Sequence, residues 1–280
     1  MISAIILTFN SIKFIGNCLN SLLFAPCGKL EVIVVDNGSR DGTPDFIKKN
    51  YPQVILIENK NNLGACKGRN QGILTAKGEW VLTLDCDVTL EKNFIGRVLQ
   101  EIAALPPGIG IIQPKILNSD KETVYSAGIY LSCIRRFYDI GKNKKAAGKI
   151  MQVEDIFGAC SAAALYRRKM LEELREDNGY FDERFFFLVE DVDLSWRAQR
   201  FAWKAMFLPD AHCYHEGNSS GCTDELRQYL CFRNRYLMIG KNESFSGKIK
   251  LIFLSFWYDF PRALYLIITN KYLRNLKIKT

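Results

Sequence analysis

The first 85 residues hold four short apolar runs, each followed by polar residues and separated from the next by a stretch of helical character. Ile2–Leu7, Glu31–Val35, Val54–Ile57 and Trp80–Leu84 read as strands. Between them, Phe14, Cys18 and Leu22 mark one face of an amphipathic helix, a second helix starts at Pro44, and a third covers Ala65–Ala76. Thr43 is expected to cap the second helix, with Pro44 at its first position. Such β-α-β-α alternation implies an α/β fold with a Rossmann-like, mostly parallel sheet covered by helices on both faces. Open sheets of this kind gather functional groups at the carboxyl ends of their strands. Thr8, Asn10, Asp36, Asn37, Asp85 and Asp87 all fall there. From Gly110 to Gly148 the pattern weakens to short strands and a Lys/Gly-rich loop, GKNKKAAGK. No repeat or long internal linker divides the chain, so residues 1–240 read as one domain followed by a tail, 241–280.

Composition excludes several classes. At 280 residues, 48% hydrophobic and 24% charged, the chain has what a packed core requires, and disorder is not expected. The first strand begins at the second residue, leaving no place for a signal h-region. Nine cysteines form an odd set without a C-x-x-C pair, scattered as small hydrophobes, which fits a reducing cytoplasm. The net charge of +8 is concentrated: residues 241–280 hold eight Lys/Arg against Glu243 and Asp259. No nucleic-acid reader motif accompanies this charge, so an anionic membrane surface is the expected partner.

Several clusters carry chemistry. Asp85-Cys86-Asp87 places two carboxylates just past an apolar strand, where hard oxygen ligands suit Mg²⁺ or Mn²⁺; a solvated turn would look the same. Glu190, Asp191 and Asp193 open a helix after Phe185, Phe186 and Phe187. They are either partners of the helix dipole or, beside apolar rings, acids of raised basicity, and either Glu190 or Asp191 would serve as a general base. His212 and His215 are the only histidines; Cys213 and Cys222 lie nearby, but the spacing matches no common zinc pattern. Asp36 opens the turn NGSRDGT, and NLGACKGRN offers Gly64 and Gly68 for close backbone approach and Lys67 or Arg69 for a phosphate. Turn chemistry accounts for those glycines and asparagines equally well.

In combination these segments resemble a known family. ILTFN, VIVVDNGSRDGT, NNLGACKGRNQGI, GEWVLTLDCDV, FFLVEDVDLSWRAQ, PDAHCYHEGNSS and CFRNRYL occur in the order seen in family 2 glycosyltransferases of the GT-A fold, over roughly residues 2–240. The similarity is to bacterial rhamnosyltransferase-like members. It implies that Thr8, Asn10, Asp36 and Asn37 surround the nucleotide of a nucleotide-sugar donor, with Asp36 at the base and Arg69 near the diphosphate. It implies Asp85 at the ribose or metal, Asp87 and His215 as ligands of Mn²⁺ or Mg²⁺, Asp191 as catalytic base and Glu190 beside it. Where the family usually carries Gly, a few residues after E-D-x-D-L, this chain has Phe201.

The implied reaction is a metal-assisted, inverting single displacement onto a hydroxyl of a saccharide or lipid-linked acceptor, with dTDP-rhamnose or a UDP-sugar as donor. A glycosidase would also use two carboxylates but has no use for a nucleotide turn. A nucleotidyltransferase would carry a glycine-rich loop after the first strand, whereas no glycine precedes Gly16. A non-catalytic sugar- or lipid-binding protein would be expected to lose Asp87, Asp191 or His215, and all are present. Acceptor choice is expected in Tyr125–Tyr138 and Gly158–Ala164.

Within the tail, Ile249–Ile268 is apolar and aromatic but holds Asp259, Pro261 and Arg262 near its middle, which disfavours a spanning helix. Lys248, Lys250, Lys271, Arg274, Lys277 and Lys279 flank it. An interfacial anchor on the inner face of the cell membrane and a helix pair packed on the domain are the two readings.

Overall fold

The computed structural model describes residues 1–23, 30–147, 156–217 and 221–275, with the backbone alone for 274–275. Lys277, Lys279, the end of the Lys/Gly-rich loop and residues 218–220 of the histidine segment lie outside the described residues, as does the Arg274 side chain.

The predicted alternation is present. Strands β1 (Ile2–Thr8), β2 (Leu30–Asp36), β3 (Ile55–Glu58) and β4 (Trp80–Asp85) alternate with helices α1 (Ile15–Leu23), α2 (Thr43–Asn50) and α3 (Ala65–Thr75). All three pairings among these strands are parallel, in the order β3-β2-β1-β4. Register aligns their ends: Thr8 is level with Asp36 and Leu7 with Asp85. The chain changes direction across the sheet between β1 and β4, and the crevice at such a switch point is where ligands of open α/β sheets bind.

Successive side chains alternate between the two faces. Ile2, Ala4, Ile6, Val32 and Val34 pack with Cys18, Leu19, Leu22 and Ile47 of α1 and α2 on one side. Ile5, Ile33 and Val35 pack with Cys66 and Ile73 of α3 on the other. Helix α3 lies so close that a Cβ on Gly68 would meet Leu7 Cδ1 at 2.3 Å. The start of α2 differs from expectation by one residue. Gly42, at φ 89°, is the N-cap and Thr43 is already helical. The Thr43 hydroxyl is engaged elsewhere, donating to Asp41 Oδ1 at 2.6 Å and accepting from the Ser11 amide at 3.1 Å.

Beyond β4 the sheet becomes mixed. After β5 (Val88–Leu90) and α4 (Phe94–Ala104) comes β6 (Ile109–Asn118), followed by β7 (Val124–Ser126) and a separate hairpin of β8 (Ile129–Leu131) and β9 (Phe137–Asp139). Strands β10 (Ala163–Arg167) and β11 (Lys204–His215) complete the order β3-β2-β1-β4-β10-β6-β11-β5, with β7 on β6. Where short, weak strands were expected, β6 is a ten-residue buried strand. Gln113, Pro114 and Lys115 hide it in the sequence. Inside the fold, Gln113 Oε1 accepts from the Cys160 amide and its Nε2 donates to Ala163 O, closing the gap where β10 leaves the ladder.

Helices α5 (Arg168–Glu173) and α6 (Glu190–Arg200) flank the second half of the sheet. Phe201 needs no glycine: its φ is −94°, and Ala202 takes the left-handed position at φ 61°. Helix α7 (Asp224–Asn242) runs through residue 240, because Lys241 and Asn242 reach back to Asp193 at 3.0 and 2.7 Å. It is followed by α8 (Phe245–Thr269) and α9 (Lys271–Asn275).

Candidate active site

The chemistry-bearing residues come from β1, β2, β4, β11, α3 and α6, near the switch point. Asp85 ends β4, Asp87 follows two residues later, and His215 ends β11, which pairs with β5 so that His215 is level with Val88. One ligand atom from each of Asp85, Asp87 and His215 lies within 4.8 Å of the others. His215 Nε2 stands 3.2 Å from Asp87 Oδ1. Burial disfavours the charged imidazole, but the hydrogen bond and charge of Asp87 outweigh it and raise the His215 pKa. Two carboxylates and an imidazole form a donor set suited to Mn²⁺ or Mg²⁺, and their convergence fits one divalent ion. The Tyr125 ring meets that of His215 edge-on at a centroid distance of 4.3 Å, so β7 fixes the imidazole's plane.

His212 serves the strand. Its Nε2 lies 2.7 Å from Pro209 O, at the register shift in β11.

Arg69 links the two acidic clusters. From α3 it donates to Asp85 Oδ1 at 2.9 Å and to Glu190 Oε1 at 2.5 Å, and it is only 3% exposed. The resemblance places this guanidinium near a diphosphate; in the structure both its terminal nitrogens hold carboxylates. Its influence on a ligand is therefore exerted through Asp85 and Glu190. No local sequence signal announces the pair, because 121 residues separate Arg69 from Glu190.

Asp191 begins α6 beside Glu190. The turn into this helix is held under strain, with Phe186, Leu188 and Val189 at φ 65°, 69° and 72°. Asn234 of α7 secures it, its amide nitrogen donating to the carbonyls of Phe185, Phe187 and Leu188 at 2.8–3.0 Å. Asp191 accepts from the Ser161 amide at 3.2 Å and from the Val192 amide at 2.8 Å. Despite these bonds, burial and the adjacent Glu190 charge push its pKa up to about 7. Half ionised near neutrality and more basic than an ordinary carboxylate, it has the property that a general base requires. Asn234 lies in the segment CFRNRYL, whose role the sequence alone did not reveal.

The remaining predicted residues form the wall beside β1 and β2. Asp36 is buried, and its carboxylate accepts from the Gly38 and Ser39 amides and the Ser39 hydroxyl. It thus organises its own turn. Asn37 donates to Gly64 O at 3.0 Å and accepts from Asn59 at 2.9 Å, joining the turn to α3. Asn10, exposed and at φ 52°, accepts from the Arg40 amide at 2.8 Å, and Thr8 is buried at the strand end. These four residues lie at the carboxyl ends of β1 and β2, level with the end of β4 that carries Asp85.

A nucleotide-binding type of α/β sheet with a carboxylate–histidine cluster at its switch point defines the GT-A class of sugar-transferring enzymes. The profile of the family described as "Glycosyl transferase family 2" matches residues 3–175, and the chain belongs to that family. Its relatives include the poly-beta-1,6-N-acetyl-D-glucosamine synthase of Staphylococcus epidermidis, 25% identical over 223 residues, covering 76% of this chain and 49% of the synthase. The chain thus spans about half the length of that relative. Another is the N-acetylglucosaminyl-diphospho-decaprenol L-rhamnosyltransferase of Mycobacterium tuberculosis, 27% identical over 247 residues, covering 79% of this chain and 78% of that enzyme. Among solved structures, the mannosyltransferase PcManGT from Pyrobaculum calidifontis, in complex with GDP-Man and Mn²⁺, superposes with a TM-score of 0.62 at 18% identity. It covers 97% of this chain and 71% of its own. TarS from S. aureus gives 0.60 at 21% identity, covering 87% and 40%. These likenesses confirm the GT-A fold.

Proposed function

We propose that this protein is an inverting glycosyltransferase that moves a sugar from a nucleotide-diphosphate donor, of the dTDP-rhamnose or UDP-sugar class, to a hydroxyl of a saccharide or lipid-linked saccharide. The observation that carries the reading is the buried Arg69 bridge, which fixes the Asp85-Asp87-His215 cluster on one side and the Glu190-Asp191 pair on the other. A divalent cation held by Asp85, Asp87 and His215 would neutralise the charge of the donor's diphosphate. The turns at Thr8–Asn10 and Asp36–Asn37 would seat the nucleotide against the cleft wall. Asp191 would take the proton of the acceptor hydroxyl as its oxygen bonds to the anomeric carbon. The bond from that carbon to the donor diphosphate breaks on the opposite face, inverting its configuration. Glu190 would orient Asp191 and the acceptor, its own carboxylate steadied by Arg69.

The same reading places the chain at the cytoplasmic face of a membrane. Helix α8 is long and apolar enough to cross a bilayer by length and composition. Its polar centre, however, turns toward the protein: Asp259 pairs with Arg235 of α7 at 2.9 Å, and Arg262 faces a cavity that Cys231 and Phe232 of α7 also line. Leu251, Ser255 and Leu266 complete that inner stripe. The opposite face exposes Phe253 at 75% and Trp257 at 85%. Aromatic and aliphatic side chains over one face, with Lys248, Lys250 and Lys271 at the ends, suit an interfacial helix on anionic lipid.

The deciding experiment is release of nucleoside diphosphate from a panel of nucleotide sugars in the presence of Mn²⁺ or Mg²⁺. Nucleoside diphosphate release supports transfer. Pyrophosphate release would point to a nucleotidyltransferase, and binding without turnover to a non-catalytic module.

A further inference from the structure

A second polar feature lies outside the donor cleft. Between the β8–β9 hairpin, α7 and α8 is a cavity of about 180 Å³ whose lining includes Arg136, Arg235 and Arg262 with Phe137, Phe232 and Tyr258. Three guanidinium groups line this small volume, with the single carboxylate of Asp259 set on Arg235. Only Arg235 has a carboxylate partner, Asp259. Among the described residues, Arg136 and Arg262 make no ion pair. Arg136 lies over the Tyr258 ring at 4.2 Å, and Arg262 is held by the Tyr258 hydroxyl, so both heads are preorganised at the cavity.

The position of the cavity indicates its ligand. The hairpin carrying Arg136 is tied to the segment that holds Asp191: the Ile129 amide donates to Gly158 O and the Phe157 amide to Ile129 O, three to four residues before Ser161, whose amide contacts Asp191. On its other side the cavity is bounded by α8, whose outer face is the exposed apolar surface described above.

We infer that Arg136 and Arg262, with Arg235, form the binding site for the diphosphate of a prenyl-diphosphate-linked acceptor. This rests on the glycosyltransferase reading and names its acceptor class. A compact dianion or trianion satisfies the two arginines that have no carboxylate partner, and guanidinium forks match phosphate oxygens in pairs. The lipid chain would leave along the apolar face of α8, at the depth where phosphate groups lie in a bilayer. The sugar hydroxyl would extend toward Asp191.

The test uses the full chain and titrates geranyl diphosphate, with geraniol as the uncharged control. Binding is measured by calorimetry to wild type, Arg136→Gln/Arg262→Gln, Arg136→Lys/Arg262→Lys and Asp87→Ala. The expected result is geranyl diphosphate binding that weakens at least tenfold in the Gln pair, recovers in part in the Lys pair and persists in Asp87→Ala, while geraniol binds weakly. Binding unaffected by the Gln pair and lost in Asp87→Ala would overturn the inference by placing the diphosphate in the donor cleft. Arginine-dependent binding to phosphatidylglycerol vesicles with no response to geranyl diphosphate would also overturn it, in favour of a bulk headgroup site. Nucleotide-sugar binding by the Gln pair, measured alongside, reports its folding. If wild type fails to turn over any nucleotide sugar, the parent reading falls; if it turns them over and the Gln pair binds geranyl diphosphate normally, only the acceptor site falls.

Discussion

Arg69 donates one guanidinium nitrogen to Asp85 and the other to Glu190, at 2.9 and 2.5 Å, in a position almost closed to solvent. Two carboxylates that would repel one another across the cleft are thereby held at fixed distance from a shared cation. Removing that cation leaves two acids with no compensating charge, a change that costs about 3–5 kcal/mol in buried pairs. Arg69→Met should therefore lose stability of that order in denaturant titration and lose turnover with it. Arg69→Lys, which cannot fork to both acids, should recover little of either.

Asp191→Asn keeps the shape of the carboxylate and removes its basicity. Turnover should fall about 10²–10⁴-fold, as for loss of a general base, while calorimetric donor affinity stays near wild type. Normal turnover would transfer the role to Glu190.

The raised pKa of Asp191 gives a pH signature. The carboxylate must be ionised to accept a proton, so kcat should rise with pH through about 7 and level off above it. The stability effect has the opposite direction. Between the ordinary carboxylate pKa of 3.8 and about 7, the folded protein keeps a proton that the unfolded chain has released. Stability should therefore decline as pH rises across that window. Asp191→Asn should lessen the decline, which thermal melts at stepped pH will show.

Asp87→Ala and His215→Ala each remove a ligand from the three-residue cluster. Both should reduce turnover at saturating donor to the level that EDTA produces in wild type, and added Mn²⁺ should restore only the wild type. Full activity in EDTA would remove the metal from the mechanism.

Ala202 follows α6 with φ at 61°, a conformation that costs an L-residue about 1 kcal/mol and costs glycine little. Ala202→Gly should leave stability unchanged or raise it by up to about 1 kcal/mol, despite the extra entropy of the unfolded chain. A loss of more than 1 kcal/mol in urea titration would mean that the Ala202 methyl contributes packing which outweighs its strain.

The sequence by itself determined the elements whose pattern is local. Periodicity placed β1 to β4 within about a residue of their observed ends, because apolar runs of strand length between amphipathic segments admit few other readings. It also placed Asp36, Asp85 and Asp87 at strand ends and the acids of α6 at a helix start. What depended on distant neighbours was not legible there. Strand β6 was obscured by Gln113, Pro114 and Lys115; the Gln113 amide is satisfied by backbone groups of residues 160 and 163, far along the chain. The α2 boundary shifted because the Thr43 hydroxyl found a partner in the β1–α1 loop. Arg69 looked free for phosphate until folding brought Glu190 to it. The direction in which Asp259 points on α8 likewise required Arg235 of α7 in place. Local propensity and spacing select elements and the residues at their ends; which charges meet, and how strongly burial shifts them, is decided by packing between segments that the sequence keeps far apart.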